Sequence, residues 1–271
     1  MTTLDHQAFL DIPYAKYGDR ELVLDVFLPL KPEGPLPVLV GISGGGWGPG
    51  LKTSIPARFA KRGFAIVGIT YRGSAEVTAP GCVFDCKASI RWVRANAATY
   101  GFDPARVGVF GSSAGGHLVG LMGTSAGVKE LEGDGGNPDF DSSVQAAYDV
   151  CGPCDFTRLV DPEYKAKNAY LYNIASAYLG GPIEERLDLA RLVSPITHIS
   201  KNTPPFMLMH GDVDELVPVE ESLAFYDALK KAGVDVGLKI IKDSPHSIPW
   251  GDAEDEDVLS FFERIFMKKN A

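Results

Sequence analysis

The chain lacks any run of about eighteen apolar residues, the length that spans a bilayer as a helix, so no transmembrane segment is expected in its 271 residues. It also lacks a Lys/Arg-rich run. With 26 basic against 35 acidic residues its net charge is −9. That balance offers no footprint for a nucleic-acid backbone and no attraction to an anionic membrane. Cysteine is scarce. Cys82, Cys86, Cys151 and Cys154 are too few for a disulfide scaffold. Neither pair has histidine partners of the metal-binding kind, which argues against zinc. The run Cys151-Gly152-Pro153-Cys154 has the redox C-x-x-C spacing. A redox pair, however, opens a helix early in a small βαβ unit, and this one ends an apolar run deep in a long chain. A structural pair or a vicinal disulfide-like contact is expected instead. The start, Met-Thr-Thr-Leu-Asp-His-Gln, has no basic region followed by an apolar one and does not read as a signal peptide. The expected location is the cytoplasm, with secretion only if a leader has been removed.

What the chain does have is alternation. Hydrophobic residues make up 45%, enough at this length for a substantial core in one large α/β domain or two small ones. Two strand candidates, 12–17 and 21–28, flank a Gly-Asp-Arg hairpin turn, and a proline-rich loop covers 29–37. A continuous apolar run at 36–42 reads as a central parallel strand, 64–71 and 107–110 as buried strands, and 144–150, 206–210 and 236–242 as further strands. Between and after them lie helical patterns at 55–62, 84–100, 219–232 and 255–267, and a polar, glycine-rich surface loop at 124–143. No repeat and no linker divides the chain. The expected fold is α/β: a mostly parallel sheet after an antiparallel N-terminal hairpin, helices on both faces. Residues 154–198, aromatic and without a strong strand, read as a short cap inserted into a single domain spanning 1–271. Ligand chemistry in such sheets gathers beyond the carboxyl ends of the strands.

One stretch organises the rest. Val107-Gly108-Val109-Phe110 is a short buried strand, Gly111-Ser112-Ser113-Ala114-Gly115 matches G-x-S-x-G, and Ala114, Leu118 and Leu121 then recur at helical spacing. Strand, tight turn and helix is the context in which G-x-S-x-G acts as a nucleophile elbow. The serine must project from a sharp turn, and Gly111 and Gly115 remove the side chains that would crowd it. The bland alternative is a small-residue turn with no chemistry.

A nucleophilic Ser113 needs a base and an orienting acid. His6 lies in the tail, His117 sits too close in sequence to reach back over the hydroxyl, His198 precedes a Lys-Asn-Thr-Pro-Pro loop, and His210 ends a strand where it would brace the next turn. His246 follows the last strand, in Asp-Ser-Pro-His-Ser, and is the expected base. The acid should follow the strand 206–210, where Asp212, Asp214 and Glu215 all stand. The chain order Ser, acid, His is that of α/β-hydrolases.

These motifs resemble those of α/β-hydrolase fold esterases of the acetyl esterase, carboxylesterase and feruloyl esterase group. The resemblance covers most of the chain: the elbow Gly111 to Gly116, His210-Gly211-x-x-Asp214-x-x-Val217-Pro218, Pro245-His246, Asp103-Pro104-x-Arg106-Val107, and Ser43-Gly44-Gly45-Gly46-Trp47 in place of H-G-G-G-W. It implies that Asp214 is the acid. It implies an oxyanion hole from the backbone N–H of Gly45 or Gly46 together with that of Ala114. The family's histidine at the head of the glycine loop, which braces it, is Ser43 here, so loop rigidity is where this chain departs.

The expected activity is hydrolysis of a small-molecule ester through an acyl-enzyme, with no cofactor or metal. Trp47, Tyr172, Tyr178 and Trp250 are the expected pocket aromatics, Trp47 narrowing one side. Charges at Asp161, Glu163, Lys165 and Lys167 interrupt the apolar positions of the cap. Acetyl and other short acyl esters are therefore expected, on plant sugars or phenolics. The rivals are an arylformamidase- or amidase-type hydrolase on the same triad, and a non-catalytic ligand-binding protein of the same fold. Oligomeric state has no signal in the sequence.

Overall fold

The structure is a computed structural model and describes residues 6–52 and 57–267. Its strands are β1 (His6–Tyr17), β2 (Arg20–Pro29), β3 (Leu36–Ile42), β4 (Ala65–Ile69), β5 (Phe102–Ser112), β6 (Ala146–Val150), β7 (Phe206–Gly211) and β8 (Val236–Ile241). Among the described residues they form one sheet in the order β1-β2-β4-β3-β5-β6-β7-β8. β2 pairs antiparallel with β1 and with β4, and every other neighbouring pair is parallel.

The apolar runs become central strands because both faces are covered. All of β3 is buried, and its side chains alternate between two cores. Val38, Val40 and Ile42 join one and Leu39 the other, as the two-residue period of a strand requires. The first core takes Val83 and Ile90 from the helix Gly81–Ala95, Leu118 and Val119 from Ala114–Thr124, and Phe225 and Leu229 from Glu220–Lys231. The second takes Phe59 from the 3-10 turn Ala57–Arg62, and Val258 and Phe262 from the closing helix Asp252–Phe266. Each side chain fully buried in this way contributes about 1.5–3 kcal/mol, which is why apolar pattern predicts the middle of the sheet well.

The pattern fails at edges. β1 starts at His6, six residues before the expected strand, because its first half is an exposed edge paired only to β2 and shows no apolar alternation. The helix expected over 84–100 begins at Gly81 and breaks at Asn96, where φ −104° and ψ 13° leave the helical region. The closing helix starts at Asp252, and Glu254 accepts the Gly251 N–H at 2.9 Å, so polar capping extends it beyond the apolar stripe. Residues 55 and 56 of the helix expected over 55–62 lie outside the described residues; Ala57–Arg62 is a 3-10 turn.

The stretch 124–143 is more than a surface loop. It holds a short helix, Lys129–Glu132, with Leu131 fully buried. The buried Lys87 ammonium bonds Glu132 at 2.6 Å and the Ser125 carbonyl at 2.8 Å, and Arg91 bonds the carbonyls of Glu132 and Gly136 at 3.0 and 3.1 Å. Two cations spaced four apart on the helix Gly81–Ala95 tie the loop down. Residues 154–198 carry helical elements throughout, among them Pro162–Lys167, Ala169–Leu179 and Leu187–Leu192. The four cysteines are buried free thiols, which corrects the expectation of a disulfide-like contact. Cys154 instead donates to the Glu221 carbonyl at 3.2 Å. No helix among the described residues is long and apolar enough to cross a membrane.

Candidate active site

β5 delivers Ser113 at φ 57° and ψ −123°, a conformation that a residue with a side chain adopts only when its surroundings impose it. The surroundings are tight. A Cβ at Gly111 would lie 2.5 Å from the Ile42 carbonyl oxygen, and one at Gly115 would collide with that same oxygen and stand 2.7 Å from the Ser43 oxygen. A Cβ at Gly44 would lie 2.6 Å from the Ser112 oxygen. The glycines thus let the end of β3 press against the turn. The Ser113 N–H is pinned to the Val150 carbonyl at 2.8 Å. The helix Ala114–Thr124 begins at once, so its first N–H groups, which lack intrahelical partners, and its positive dipole end face the turn.

The loops after β5, β7 and β8 meet here. His246 Nε2 is 2.9 Å from Ser113 Oγ, and His246 Nδ1 is 2.7 Å from Asp214 Oδ2. Of the three candidate carboxylates, only Asp214 reaches the ring. Asp212 is exposed, and Glu215 accepts the His246 backbone N–H at 3.2 Å. The Asp214 side chain is fully buried, 3.2 Å from His210 Nε2, and accepts the N–H groups of Leu216 and Val217 at 2.9 and 2.8 Å. Burial alone would raise its pKa. The hydrogen bonds from His210, His246, Val217 and Leu216 prevail and hold the carboxyl well below the usual range. An ionised carboxylate can only accept. His246 Nδ1 therefore carries a proton, and Nε2 faces the serine hydroxyl.

The remaining histidines have other partners, His210 besides its approach to Asp214. His210 is buried between Ser222 Oγ at 2.7 Å and the Val217 carbonyl at 2.9 Å. His198 bonds the Leu192 carbonyl at 2.6 Å, and His6 packs edge-on against Phe27. His117, fully buried, accepts the Trp47 indole N–H on Nδ1 at 3.1 Å and donates from Nε2 to the Val193 carbonyl at 2.7 Å. Burial keeps it neutral, its pKa lowered to about 4.

The glycine loop is braced from Ser43 onward. Ser43 Oγ accepts the Leu51 N–H at 2.7 Å, the Tyr71 hydroxyl donates to the Ser43 carbonyl at 2.7 Å, and Ser74 N donates to the Trp47 carbonyl at 2.7 Å. Gly45, Gly46 and Trp47 all have positive φ, at 102°, 59° and 57°. That path buries Trp47, which stacks on the equally buried Tyr178 with ring centroids 4.8 Å apart at 12°. Neither aromatic lines the space around Ser113, which corrects the expected pocket. Tyr172 is also elsewhere: it bonds Glu184 at 2.6 Å and borders a separate shallow depression with Ser176 and Pro182.

Of the four expected pocket aromatics, Trp250 is the one that borders Ser113. The cavity there is about 460 Å³, with Phe110, Val150, Cys151, Ile248 and Arg58 among its walls. Cys151 and Arg58 escaped sequence reasoning. Cys151 had a usable signal, since it directly follows the end of β6. Arg58 is 55 positions from Ser113 and had none. A larger hollow of about 800 Å³ lies between the 29–37 loop, Arg106 and Phe266, and it borders none of Ser113, Asp214 and His246. Donor atoms of Cys151, Asp214 and His246 lie within 4.8 Å of one another, so the same groups could approach a cation. Burial raises the Cys151 thiol pKa, which keeps it a poor ligand at neutral pH.

The BD-FAE family matches residues 24–229, from β2 into the helix Glu220–Lys231. The probable carboxylic ester hydrolase LipM of Mycobacterium tuberculosis is 35% identical over 82% of this chain and 51% of its own. The chain spans about half the length of the curated relatives it matches. Among solved structures, a truncated carbohydrate esterase from gut microbiota has a TM-score of 0.84 at 28% identity, over 98% of this chain and 99% of that one. Butyrate-bound esterase Est2 of Thermogutta terrifontis has a TM-score of 0.78 at 27% identity, over 96% of this chain and 94% of that one. The sheet, the serine turn and these likenesses agree: the chain has the α/β-hydrolase fold and belongs to the BD-FAE family.

Proposed function

We propose that the protein is a serine esterase that hydrolyses short-chain carboxylic esters through an acyl-enzyme. The observation that carries this is the continuous hydrogen-bonded chain Ser113–His246–Asp214 opening into a cavity of about 460 Å³. His246 Nε2 takes the proton as Ser113 Oγ attacks the ester carbonyl. Asp214 holds the tautomer and stabilises the imidazolium. The N–H of Ala114 and that of Gly45 or Gly46 receive the oxyanion, one such donor being worth about 3 kcal/mol of barrier. His246 then protonates the leaving alcohol, and water repeats the sequence to release the acid.

A small acyl group is favoured by the cavity's modest volume, towards the lower end of the range for ligand sites, and by the likeness to an esterase holding butyrate. Carbohydrate or phenolic alcohols are favoured by the flat face of Trp250 at the cavity and by the likeness to a carbohydrate esterase. The test is kcat/KM across 4-nitrophenyl esters of increasing acyl length. Activity should peak at two to four carbons. A maximum at eight carbons or longer overturns the short-chain reading, and labelling of nothing by an organophosphate probe overturns the serine mechanism.

A further inference from the structure

The cavity beside Ser113 carries a charge that the proposed mechanism does not use. Arg58 is the only Lys, Arg, Asp or Glu among the described residues lining it. Its guanidinium is held at one edge: Nε donates to Asp255 Oδ2 at 2.6 Å, and Nη2 pairs with the same oxygen. The other oxygen, Asp255 Oδ1, accepts the Trp250 indole N–H at 2.9 Å. Asp255 is buried in the first turn of the helix Asp252–Phe266. One anchored carboxylate therefore fixes both a guanidinium and an indole at the cavity wall.

Pairing with the buried Asp255 accounts for one edge of the guanidinium and leaves its outer end unexplained. The Arg58 side chain is 55% exposed. Trp250 keeps 37% of its surface in solvent while standing edge-on to Phe110, at 5.7 Å and 72°. Both groups retain an unused recognition surface. The Nη1 end of Arg58 has no hydrogen-bond partner among the described residues. A guanidinium only donates, so its complement is an acceptor, and the strongest fit is a carboxylate. The indole face suits a flat ring.

We infer that Arg58 and Trp250, aimed by Asp255, form a subsite for a ring bearing a carboxylate in the non-reacting part of the ester. Asp255 is a positioning residue in this scheme, and the inference rests on the esterase reading above. Two matched pairs test it: 4-acetoxybenzoate against 4-methylphenyl acetate, and the 4-nitrophenyl ester of 4-carboxybenzoate against that of 4-methylbenzoate. The first pair places the carboxylate on the alcohol side and the second on the acyl side. In Arg58→Gln, kcat/KM for the carboxylate member of at least one pair should fall about tenfold further than for its methyl partner, as loss of a charge-assisted hydrogen bond implies. Arg58→Lys should restore part of the preference, and raising NaCl from about 0.05 to 0.5 M should narrow it in the wild type. An unchanged carboxylate-to-methyl ratio in both pairs overturns the subsite and leaves Arg58 a structural partner of Asp255. Hydrolysis of 4-nitrophenyl acetate by the same preparations distinguishes the two failures: without it the esterase reading falls and the subsite with it.

Discussion

The Trp47 indole N–H donates to His117 Nδ1 at 3.1 Å, and this bond joins the glycine loop to the helix that follows Ser113. The imidazole passes the connection on to the Val193 carbonyl at 2.7 Å, on the chain between β6 and β7. Three segments near the serine are tied through one neutral ring. The glycine loop is thus held from the far side of the tryptophan as well as at Ser43.

That ring makes stability depend on pH. Its folded pKa of about 4 lies below the unfolded value of about 6.5. As pH falls the unfolded chain takes up the proton first. The stabilisation is complete above about pH 6.5 and is lost as pH falls through about 4. Urea midpoints of wild type should decline across that window. His117→Phe should flatten the decline attributable to this site. It should also lower stability at pH 7 by about 2 kcal/mol or more, since two buried polar groups lose their partner. Parallel pH curves for wild type and variant would sink the assignment.

Ser113→Ala should fold like wild type and lose about three or more orders of magnitude in kcat, as removal of a triad member does. Ser112 borders the same cavity, but His246 Nε2 bonds the Ser113 hydroxyl and not that of Ser112, so Ser112→Ala should retain far more activity. Equal losses, measured on one chromogenic acetate, would exclude Ser113 as the nucleophile.

Asp214→Asn should impair kcat severely, because an amide can stabilise the wrong imidazole tautomer. The amide oxygen can still accept from Leu216 and Val217 as Oδ1 does, but the amide nitrogen cannot accept from His210 at the Oδ2 position, so circular dichroism and the urea midpoint belong beside the kinetics. Asp212→Asn, at an exposed carboxylate, should change kcat little. The reverse ranking would move the acid two residues.

Gly115→Ala should destabilise the fold by about 1–3 kcal/mol through overpacking. The new methyl meets backbone, the carbonyl oxygens of Ile42 and Ser43, rather than a side chain able to swing away. Because that backbone leads into the glycine loop, kcat should fall as well. An unchanged urea midpoint would contradict the close approach of β3 to the serine turn.

Local pattern was enough for several features. Runs such as 36–42 and 107–110 state their burial on both faces in their own composition, because a strand with two covered faces has no polar period. The G-x-S-x-G turn is legible as a short motif between a strand and a helix, although the closest clashes its glycines avoid are with Ile42 and Ser43 at the end of a distant strand. His246 and the acid candidates are legible as residues that follow strands, and resemblance singles out Asp214. Tertiary structure decided what depends on approach between distant segments. Nothing in Ser43 to Trp47 says that positive φ at three successive residues turns the indole inward onto Tyr178, away from Ser113. Nothing near Arg58 says that a carboxylate 197 positions later holds it at the cavity wall. Sequence period reports which face of an element is apolar. Which side chains share a cavity is set by the sheet order and by the packing of loops at its carboxyl edge, and those distances are not written in any single segment.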